Sequence, residues 1–519
     1  MKDQTNNATT TTEEEEKKIV RALDRHLMPL FCVFYFTDYL DRANIGNASL
    51  AGIEEDLNLS ATQLSTAISA FYITYILFEV PSNMILKQTS ATIWLSSIML
   101  CWGVITLVMG FVTSFGGLLA ARLLLGIAES GYIPGILYQM SRVYQARELG
   151  IRISILLCMS AMSGILSGPL AYGTSFLEGR NNMHGWQYLF ILEGVPTIAL
   201  SVVSYLLLFD NVDEVKWLTP AQKQLQHCRM QAQQLMDSTA SSSLPEEENR
   251  DTEKKEQDGR LHSGGTSCDG KKTTTGQWVA LYKAFTDWKM WLFALVYMLH
   301  VVNFSSFSIF SPVIIDGFGF SVLTSQLLAA PPNIIAVTVV LFSGYLIDRY
   351  DNCRAKLLVA SALILTVGYT MMLVLQQRWA LYGSLFVIPA GLGLQGPAVV
   401  GWSAVNFPDL SVRAVAVALV VMIGNSGGVI ASYLYPSTNA PHYYFGNGFN
   451  LICAILTGLV SGLTGYLLSR ENKRREELWQ AMMSKEKQQQ QLQAFGSESC
   501  IIEKLSSPRW EEMKYRLYY

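Results

Sequence analysis

Two charged residues lie in an apolar stretch that is long enough to cross a lipid bilayer. The stretch, Leu118–Tyr138, carries Arg122 and Glu129, which are seven residues apart. Seven residues are two helical turns, so both side chains point the same way. One charge near the bilayer centre costs at least about 2.5–3.5 kcal/mol. A helix with two such charges on one face must direct that face toward water, a partner or a substrate, and the pattern predicts a transport path.

The spacing also indicates what this pair can do. Two helical turns are about 10 Å along the axis, which is too far for simple direct contact between Arg122 and Glu129. A carboxyl group in a semi-apolar cavity can take and release protons near neutral pH. We therefore interpret Glu129 as a proton carrier rather than as a permanent partner of Arg122.

A second group of charges lies toward the end of the first apolar stretch, where Asp38, Asp41 and Arg42 occur. Adjacent residues point to different sides of a helix, so Asp41 and Arg42 could each find a separate partner. The guanidinium of Arg42 suits a substrate carboxylate, and Asp41 could carry a proton. A structural salt bridge between Asp41 and Arg42 at the helix end explains the same residues about equally well.

Neutral residues on two other stretches are further candidates for ligand contact. Tyr72 and Tyr75 lie one turn apart, and Glu79 follows by another turn, where it could brace a gate. A tyrosine hydroxyl can orient a polar ligand, although packing explains most membrane aromatics. Asn425 lies among glycines, which leaves its amide free either to reach a ligand or to bond to another helix.

Composition and motifs exclude several classes of protein. Only 15% of the residues are charged and half are hydrophobic, whereas soluble proteins carry about 25% charged residues. The net charge of −3 gives no sign of a nucleic-acid partner. The eight cysteines show no CxxC spacing, so neither disulfides nor a metal site is predicted. Nucleotide and nucleophile motifs are absent. We expect a carrier without a cofactor, driven by an ion gradient, and not an enzyme.

The elements that must position these residues are about twelve predicted membrane helices. The predicted fold is therefore an all-α membrane protein with twelve transmembrane helices in two six-helix pseudo-repeats. The predicted spans are 27–47, 62–86, 92–113, 116–139, 152–177, 187–209, 287–313, 324–347, 355–376, 379–403, 411–436 and 447–470. Lys and Arg concentrate in the loops after even-numbered spans, which places both termini in the cytoplasm.

Polar segments divide the chain into five predicted parts. These are a disordered tail (1–26), a six-helix bundle (27–209), a cytoplasmic linker (210–286), a second six-helix bundle (287–470) and a cytoplasmic tail (471–519). The middle of the linker is too polar to bury a core. Two bundles of six are typical of carriers whose repeats rock about a site near the membrane midplane.

Several motifs resemble those of the major facilitator superfamily. Gly344, Asp348 and Arg349 match its Gly-x3-Asp-Arg loop signature, and Gly168 with Pro169 matches the fifth-span signature. The chain is similar to the anion:cation symporter group and, more closely, to the fungal allantoate permease family. The stretches that carry this resemblance are DRANIGNA (41–48), RLLLGIAESGYIPG (122–135), GWQYLFILEG (185–194), Pro331–Pro332, IGNSGG (423–428) and APHYYFGNGFN (440–450).

The resemblance implies roles for particular residues. A first-span arginine holds the substrate carboxylate in the wider group, and here it is Arg42. Acidic residues of the first and fourth spans carry protons, and the fourth-span arginine communicates with them; here these are Asp41, Glu129 and Arg122. The resemblance further implies ligand contacts from Tyr75 and Asn425, and structural or gating roles for Gly168, Pro169, Gly344, Asp348 and Arg349. Family members carry allantoate, nicotinate, pantothenate, biotin and similar anions.

These observations predict a monomeric proton symporter that imports a small organic anion at the fungal plasma membrane. A proton-driven efflux carrier is one alternative, because the fifth-span Gly-Pro motif is common in exporters. An arginine in the cavity argues against exporters of cationic drugs. A nutrient sensor that binds its ligand and hardly transports it is another alternative, and the long linker and tail would support it.

Overall fold

The computed structural model describes residues 2–242, 279–350, 352–407, 410–439 and 442–494, and their regular structure is helical. The first half contains α1 (Lys2–Leu50), α2 (Ile53–Asp56), α3 (Ala61–Gln88), α4 (Ala91–Met109), α5 (Phe115–Glu129), α6 (Tyr132–Val143), α7 (Ala146–Ser175) and α8 (Gly185–Leu207). A connecting helix, α9 (Pro220–Ser242), follows. The second half contains α10 (Trp288–Gly317), α11 (Val322–Leu328), α12 (Ala330–Arg349), α13 (Arg354–Val374), α14 (Arg378–Val405), α15 (Leu410–Ala431) and α16 (Tyr444–Ala494).

The prediction of an all-α membrane fold is confirmed. In the described part of the chain, ten helical segments are long and apolar enough to cross a membrane, with Val415–Ala431 as a shorter apolar helix. Two of these segments join consecutive helices, because α5 with α6 and α11 with α12 each make one crossing. The first crossing lies in α1, whose charged residues lower its hydropathy. The helices thus match the twelve predicted crossings.

Serine side chains set where three of these helices begin. Ser60, Ser90 and Ser114 precede α3, α4 and α5, and each hydroxyl accepts the backbone N–H of the residue three positions on, at 3.3 Å. Such caps satisfy backbone donors that the first helical turn leaves unpaired. The starts of neighbouring spans are therefore encoded locally.

The two halves pack as separate bundles that meet mainly along three helix pairs. Within the first half the main packing is α4 on α8, α1 on α7 and α3 on α5; within the second half it is α10 on α15 and α13 on both α14 and α16. Between the halves, α7 packs on α12, α1 on α10, and α3 on α15. The cavity described below lies at this junction, and α1 contributes to it from the first half.

Glycines allow the two halves to touch at the side opposite the chain termini. A Cβ on Gly46 would overlap the carbonyl oxygen of Ile309, and one on Gly168 would overlap that of Gln326. Backbone oxygens cannot rotate away as side chains do, so larger residues here would push the halves apart. On the side of the termini, Gly344 meets the side chain of Ser154.

The first helix corrects one prediction. Residues 1–26 were expected to be disordered, whereas α1 already begins at Lys2. Ile19, Leu23 and Leu27 recur every four residues and are almost fully buried. They belong to the same apolar core as residues just after α8, and the ring of His26 stacks on Trp217 at 4.1 Å between centroids. The prediction was wrong because these few spaced apolar residues hardly change the polar average composition of the segment.

The predicted linker and C-terminal tail are also partly ordered. The linker begins with α9, which packs against the first half through the buried residues Gln226 and Arg229. Its middle, 243–278, lies outside the described residues. The last helix continues well past residue 470 to Ala494, and 495–519 lie outside the described residues.

Candidate functional site

A cavity of about 110 Å³ lies between the two halves, near the middle of the helices. Its walls combine aromatic rings, neutral polar groups and small residues. The polar and aromatic lining residues are Tyr39, Arg42, Tyr72, Tyr297, His300, Phe304, Ser305, Phe307, Ser308, Asn333 and Asn425. Among the lining residues of this cavity that the structure describes, Arg42 is the one fixed charge. The cavity is therefore suited to an anion.

The guanidinium of Arg42 is held by two carboxyl groups. Its Nε donates to Oε2 of Glu129 at 3.2 Å, and its Nη2 donates to Oδ1 of Asp38 at 3.2 Å. The Nη2 atom also lies 3.0 Å from Oδ2 of Asp38. The arginine side chain is 13% exposed, while both carboxyl side chains are fully buried. From the cavity Arg42 is therefore more accessible than the two carboxyl groups that lie behind it.

Aromatic rings surround the same guanidinium. The Cζ atom of Arg42 lies 4.8 Å from the ring centroid of Tyr75, 5.0 Å from Tyr39 and 5.4 Å from Phe71. These distances are within the range of cation–π attraction. The rings hold the guanidinium in place without neutralising its charge, so it remains available to an anion.

Helix geometry separates Asp41 from its neighbour Arg42. Asp38 lies one turn before Arg42 on α1 and shares its face, whereas Asp41 points into the first bundle. There the indole Nε1 of Trp102, on α4, donates a hydrogen bond to Oδ2 of Asp41. Asp41 and Arg42 thus have separate partners, which is one of the two arrangements that the sequence left about equally open.

Close to Glu129, α3 and α5 pack very tightly against each other. A Cβ on Gly126 would overlap Thr74 and the backbone of Phe71, and the Thr74 hydroxyl donates to the carbonyl of Leu123 at 3.0 Å. The fourth crossing then breaks after Glu129, where Ser130 and Gly131 separate α5 from α6.

Arg122 lies apart from the cavity, inside the first bundle. It is 2% exposed, and neither Nε nor Nη2 has a hydrogen-bond partner. The acidic residues that interact with it electrostatically are Glu129, Asp41 and Glu193. The predicted face of α5 is therefore shared between two groups, because Glu129 contacts Arg42 directly while Arg122 faces Asp41 and Glu193.

The two neutral candidates occupy different positions. Tyr75 packs against Arg42 and is not among the cavity-lining residues, whereas Tyr72 lines the cavity and donates to Oγ of Ser305 at 3.3 Å. Asn425 lines the cavity from the second half and also lies beside the carboxyl group of Glu79. Ligand contacts by Tyr75 and Asn425 stay predictions.

The predicted gating residues lie where α7 meets the second half. Gly168, with Pro169 next to it inside α7, approaches the backbone of Gln326 on α11. Near the termini side, Gly344 approaches Ser154, and Oδ1 of Asp348 lies 3.1 Å from where a Cβ on Gly150 would be. Arg349 is exposed at the end of α12. Their roles in gating stay predictions.

Sequence reasoning gave no site role to three residues that the structure brings into the site. Asp38 is the second carboxyl partner of Arg42, Trp102 binds Asp41, and Glu193 faces Arg122. An acid within an apolar stretch was a usable signal for Asp38 and Glu193. Trp102 carried no such signal, because an indole in a membrane helix has many possible roles.

Comparison with known proteins agrees with this architecture. The profile described as the Major Facilitator Superfamily matches residues 31–432. An uncharacterized transporter of Schizosaccharomyces pombe is 31% identical over 89% of this chain and 85% of its own. The MFS-type transporter efuF of Hormonema carpetanum is 31% identical over 82% and 80%, respectively. A putative tartrate transporter of Agrobacterium vitis is 27% identical over 87% and 95%.

Solved structures agree in fold at low sequence identity. A D-xylose-proton symporter matches with a TM-score of 0.59 and 14% identity, over 84% of this chain and 96% of its own. A bacterial homologue of the lysosomal transporter Spinster, inward-facing and occupied, matches with a TM-score of 0.59 and 14% identity, over 86% and 97%. With the family profile and the relatives above, the conclusion is that this chain belongs to the major facilitator superfamily of membrane transporters.

Proposed function

We propose that this transporter imports a small organic anion together with protons. The observation that carries the proposal is the position of Arg42, whose guanidinium lines the central cavity in front of two buried carboxyl groups. A fixed positive charge selects for anions, and the planar fork of an arginine matches a carboxylate. The cavity aromatics add apolar surface for the rest of the substrate.

Coupling follows from competition for Arg42. When Asp38 and Glu129 are ionised they occupy its donors, so an anion binds weakly. Protonation of Glu129 removes one competitor, and the anion then takes its place on Nε. Binding of the anion and of the proton thus favour each other, which is the reciprocal linkage that a symporter needs. The proton offsets the charge of a monovalent anion, so the loaded cavity carries no more net charge than the empty one and can close between the two halves.

The finer identity is also part of this proposal. Resemblance to the fungal allantoate permease family suggests vitamin or ureide carboxylates such as nicotinate, allantoate or pantothenate. The name of the Agrobacterium vitis relative refers to tartrate, which is also a carboxylate. The carrier would act as a monomer in the plasma membrane with both termini in the cytoplasm, in agreement with the positive residues of the even-numbered loops.

An uptake experiment tests the proposal. Purified protein in liposomes is given an inward proton gradient, and uptake of labelled nicotinate, allantoate, pantothenate and tartrate is measured, each with the others as competitors. At least one of these carboxylates is expected to accumulate above its outside concentration. The gradient alone drives this accumulation, so a protonophore should abolish it.

Arginine variants make the test specific. Arg42→Ala should abolish carboxylate uptake, and Arg42→Lys should retain only a small fraction of it, because an ammonium lacks the fork geometry. Arg25→Ala changes an exposed arginine of the same helix and should leave uptake intact. Carboxylate uptake that is unaffected by Arg42→Ala, or that ignores the proton gradient, would overturn the proposal.

A further inference from the structure

A second group of buried charges lies behind the cavity, inside the first bundle. It consists of Asp41 on α1, Arg122 on α5 and Glu193 on α8, which are 2%, 2% and 5% exposed. Trp102 on α4 closes it by its bond to Asp41. Four helices thus enclose two carboxyl groups and one guanidinium, and none of the three lines the central cavity.

Hydrogen bonding in this group is incomplete in a specific way. The carboxyl groups of Asp41 and Glu193 lie next to each other. As carboxylates, neither has a donor to offer, and accordingly Oδ1 of Asp41 and both oxygens of Glu193 lack a donor. One proton between the two groups would supply the missing donor. Buried polar atoms nearly always have a hydrogen-bond partner. The unpartnered oxygens of this pair therefore indicate that a proton is bound there.

Charge balance requires the same proton. Two carboxylates and one guanidinium sum to −2 + 1 = −1, and an uncompensated buried charge is strongly unfavourable. The charged groups that face Glu193 are Asp41 from α1 and Arg122 from α5. Asp38 also acts on Asp41, and Glu129 also acts on Arg122, but both of these acids are paired with Arg42. Adding one proton to the pair makes the group neutral. Two adjacent carboxyl groups that share one proton are a known arrangement in other proteins.

We propose that Asp41 and Glu193 form a proton-binding site that holds one shared proton against Arg122. Asp41 therefore does not bind its proton alone, and Glu193 is the second half of the site. The contacts described above support the presence of the proton. Its use in transport rests on the proposed function. Without Glu193, Asp41 would form a simple ion pair with Arg122 and would have no need of a proton.

Infrared spectroscopy of the purified protein tests the site without any substrate. A protonated carboxyl group has a C=O stretching band that is separate from the amide bands and shifts in D₂O. At pH 7, Glu193→Gln is expected to lose one carboxylic-acid equivalent of this band per protein relative to wild type. Asp41→Asn is expected to lose the same equivalent, because the remaining acid then ionises beside Arg122.

Glu55→Gln is the matched control, because Glu55 is exposed and its replacement should leave the band unchanged. If one variant fails to fold, which its gel-filtration profile reports, the other still decides the result. A band of wild-type intensity in a folded variant would overturn the shared proton. Proton-driven uptake in liposomes is measured on the same wild-type preparation. Loss of the band in a protein that shows no proton coupling would refute the proposed function and leave this site standing.

Discussion

Replacement of Glu129 by glutamine separates anion binding from proton coupling. Oε2 of Glu129 lies 3.2 Å from Nε of Arg42, and the carboxyl side chain is fully buried. Glutamine has nearly the same shape but no charge and no proton to exchange. The change therefore imitates the protonated acid at every pH. We expect Glu129→Gln to abolish proton-driven accumulation while leaving exchange of labelled for unlabelled substrate measurable.

The magnitude follows from the bond that the anion must displace. A hydrogen bond to a charged group contributes about 1.5–3 kcal/mol net. Without that competitor, the anion should bind Glu129→Gln about 10- to 150-fold more tightly at alkaline pH. The pH dependence gives a second measure. If each bound anion requires one proton on Glu129, the wild-type Kd should rise about tenfold per pH unit on the alkaline side. The variant should lose this slope.

The assay is equilibrium binding of the best labelled carboxylate from the uptake panel, measured between pH 5 and 9, with exchange and accumulation measured in liposomes. Glu55→Gln should behave as wild type in all three measurements. Uphill accumulation by folded Glu129→Gln would refute the reasoning. So would a Kd that rises with pH as steeply in the variant as in wild type, because the displaced group would then be another acid.

Three further predictions concern packing and stability. Gly168→Ala should slow substrate exchange about 5- to 150-fold, because overpacking against Gln326 disfavours the contact between the halves by about 1–3 kcal/mol. The control is Gly173→Ala on the same helix, which has open space around it and should not slow exchange. Trp102→Phe should lower the free energy of unfolding in detergent by about 1–3 kcal/mol, because Asp41 loses a buried hydrogen-bond donor. The control is Trp186→Phe, which should lower it less because the Trp186 indole donates to Asp56, an exposed residue. Arg229→Ala removes the 2.5 Å ion pair with Glu148, so Lys223 on α9 should be cut faster by trypsin; equal cutting would contradict docking of α9 through this residue.

Charges inside apolar stretches were the part of the site that the sequence could predict. Arg42, Asp41, Arg122 and Glu129 stand out because each is costly in a membrane. Adjacency on one helix left separate partners for Asp41 and Arg42 about as open as a salt bridge between the two. The pairing of Arg42 with Glu129 could not be predicted, because it joins side chains of two helices, α1 and α5, that are 87 residues apart in the chain.

Local composition failed where burial depends on a distant partner. The residues before the first span are mostly polar, yet Ile19 and Leu23 are buried in the apolar core. Periodicity of four within a polar stretch was the available signal. The sequence alone did not show which surface would cover it, and without such a surface a short amphipathic stripe in a charged tail is usually solvated.

The adjacency of Asp41 and Arg42 has a consequence for the proposed mechanism. Each belongs to a group of one guanidinium and two carboxyls, namely Arg42 with Asp38 and Glu129, and Arg122 with Asp41 and Glu193. With every acid ionised, each group alone sums to −1, so each favours one proton. Since α1 contributes to both groups and also packs on α10 of the opposite half, a rotation of α1 during rocking must re-aim both side chains together. A conformational change at the cavity can then reach the buried proton site through the rigid backbone of α1. No chain of side chains between the two groups is needed.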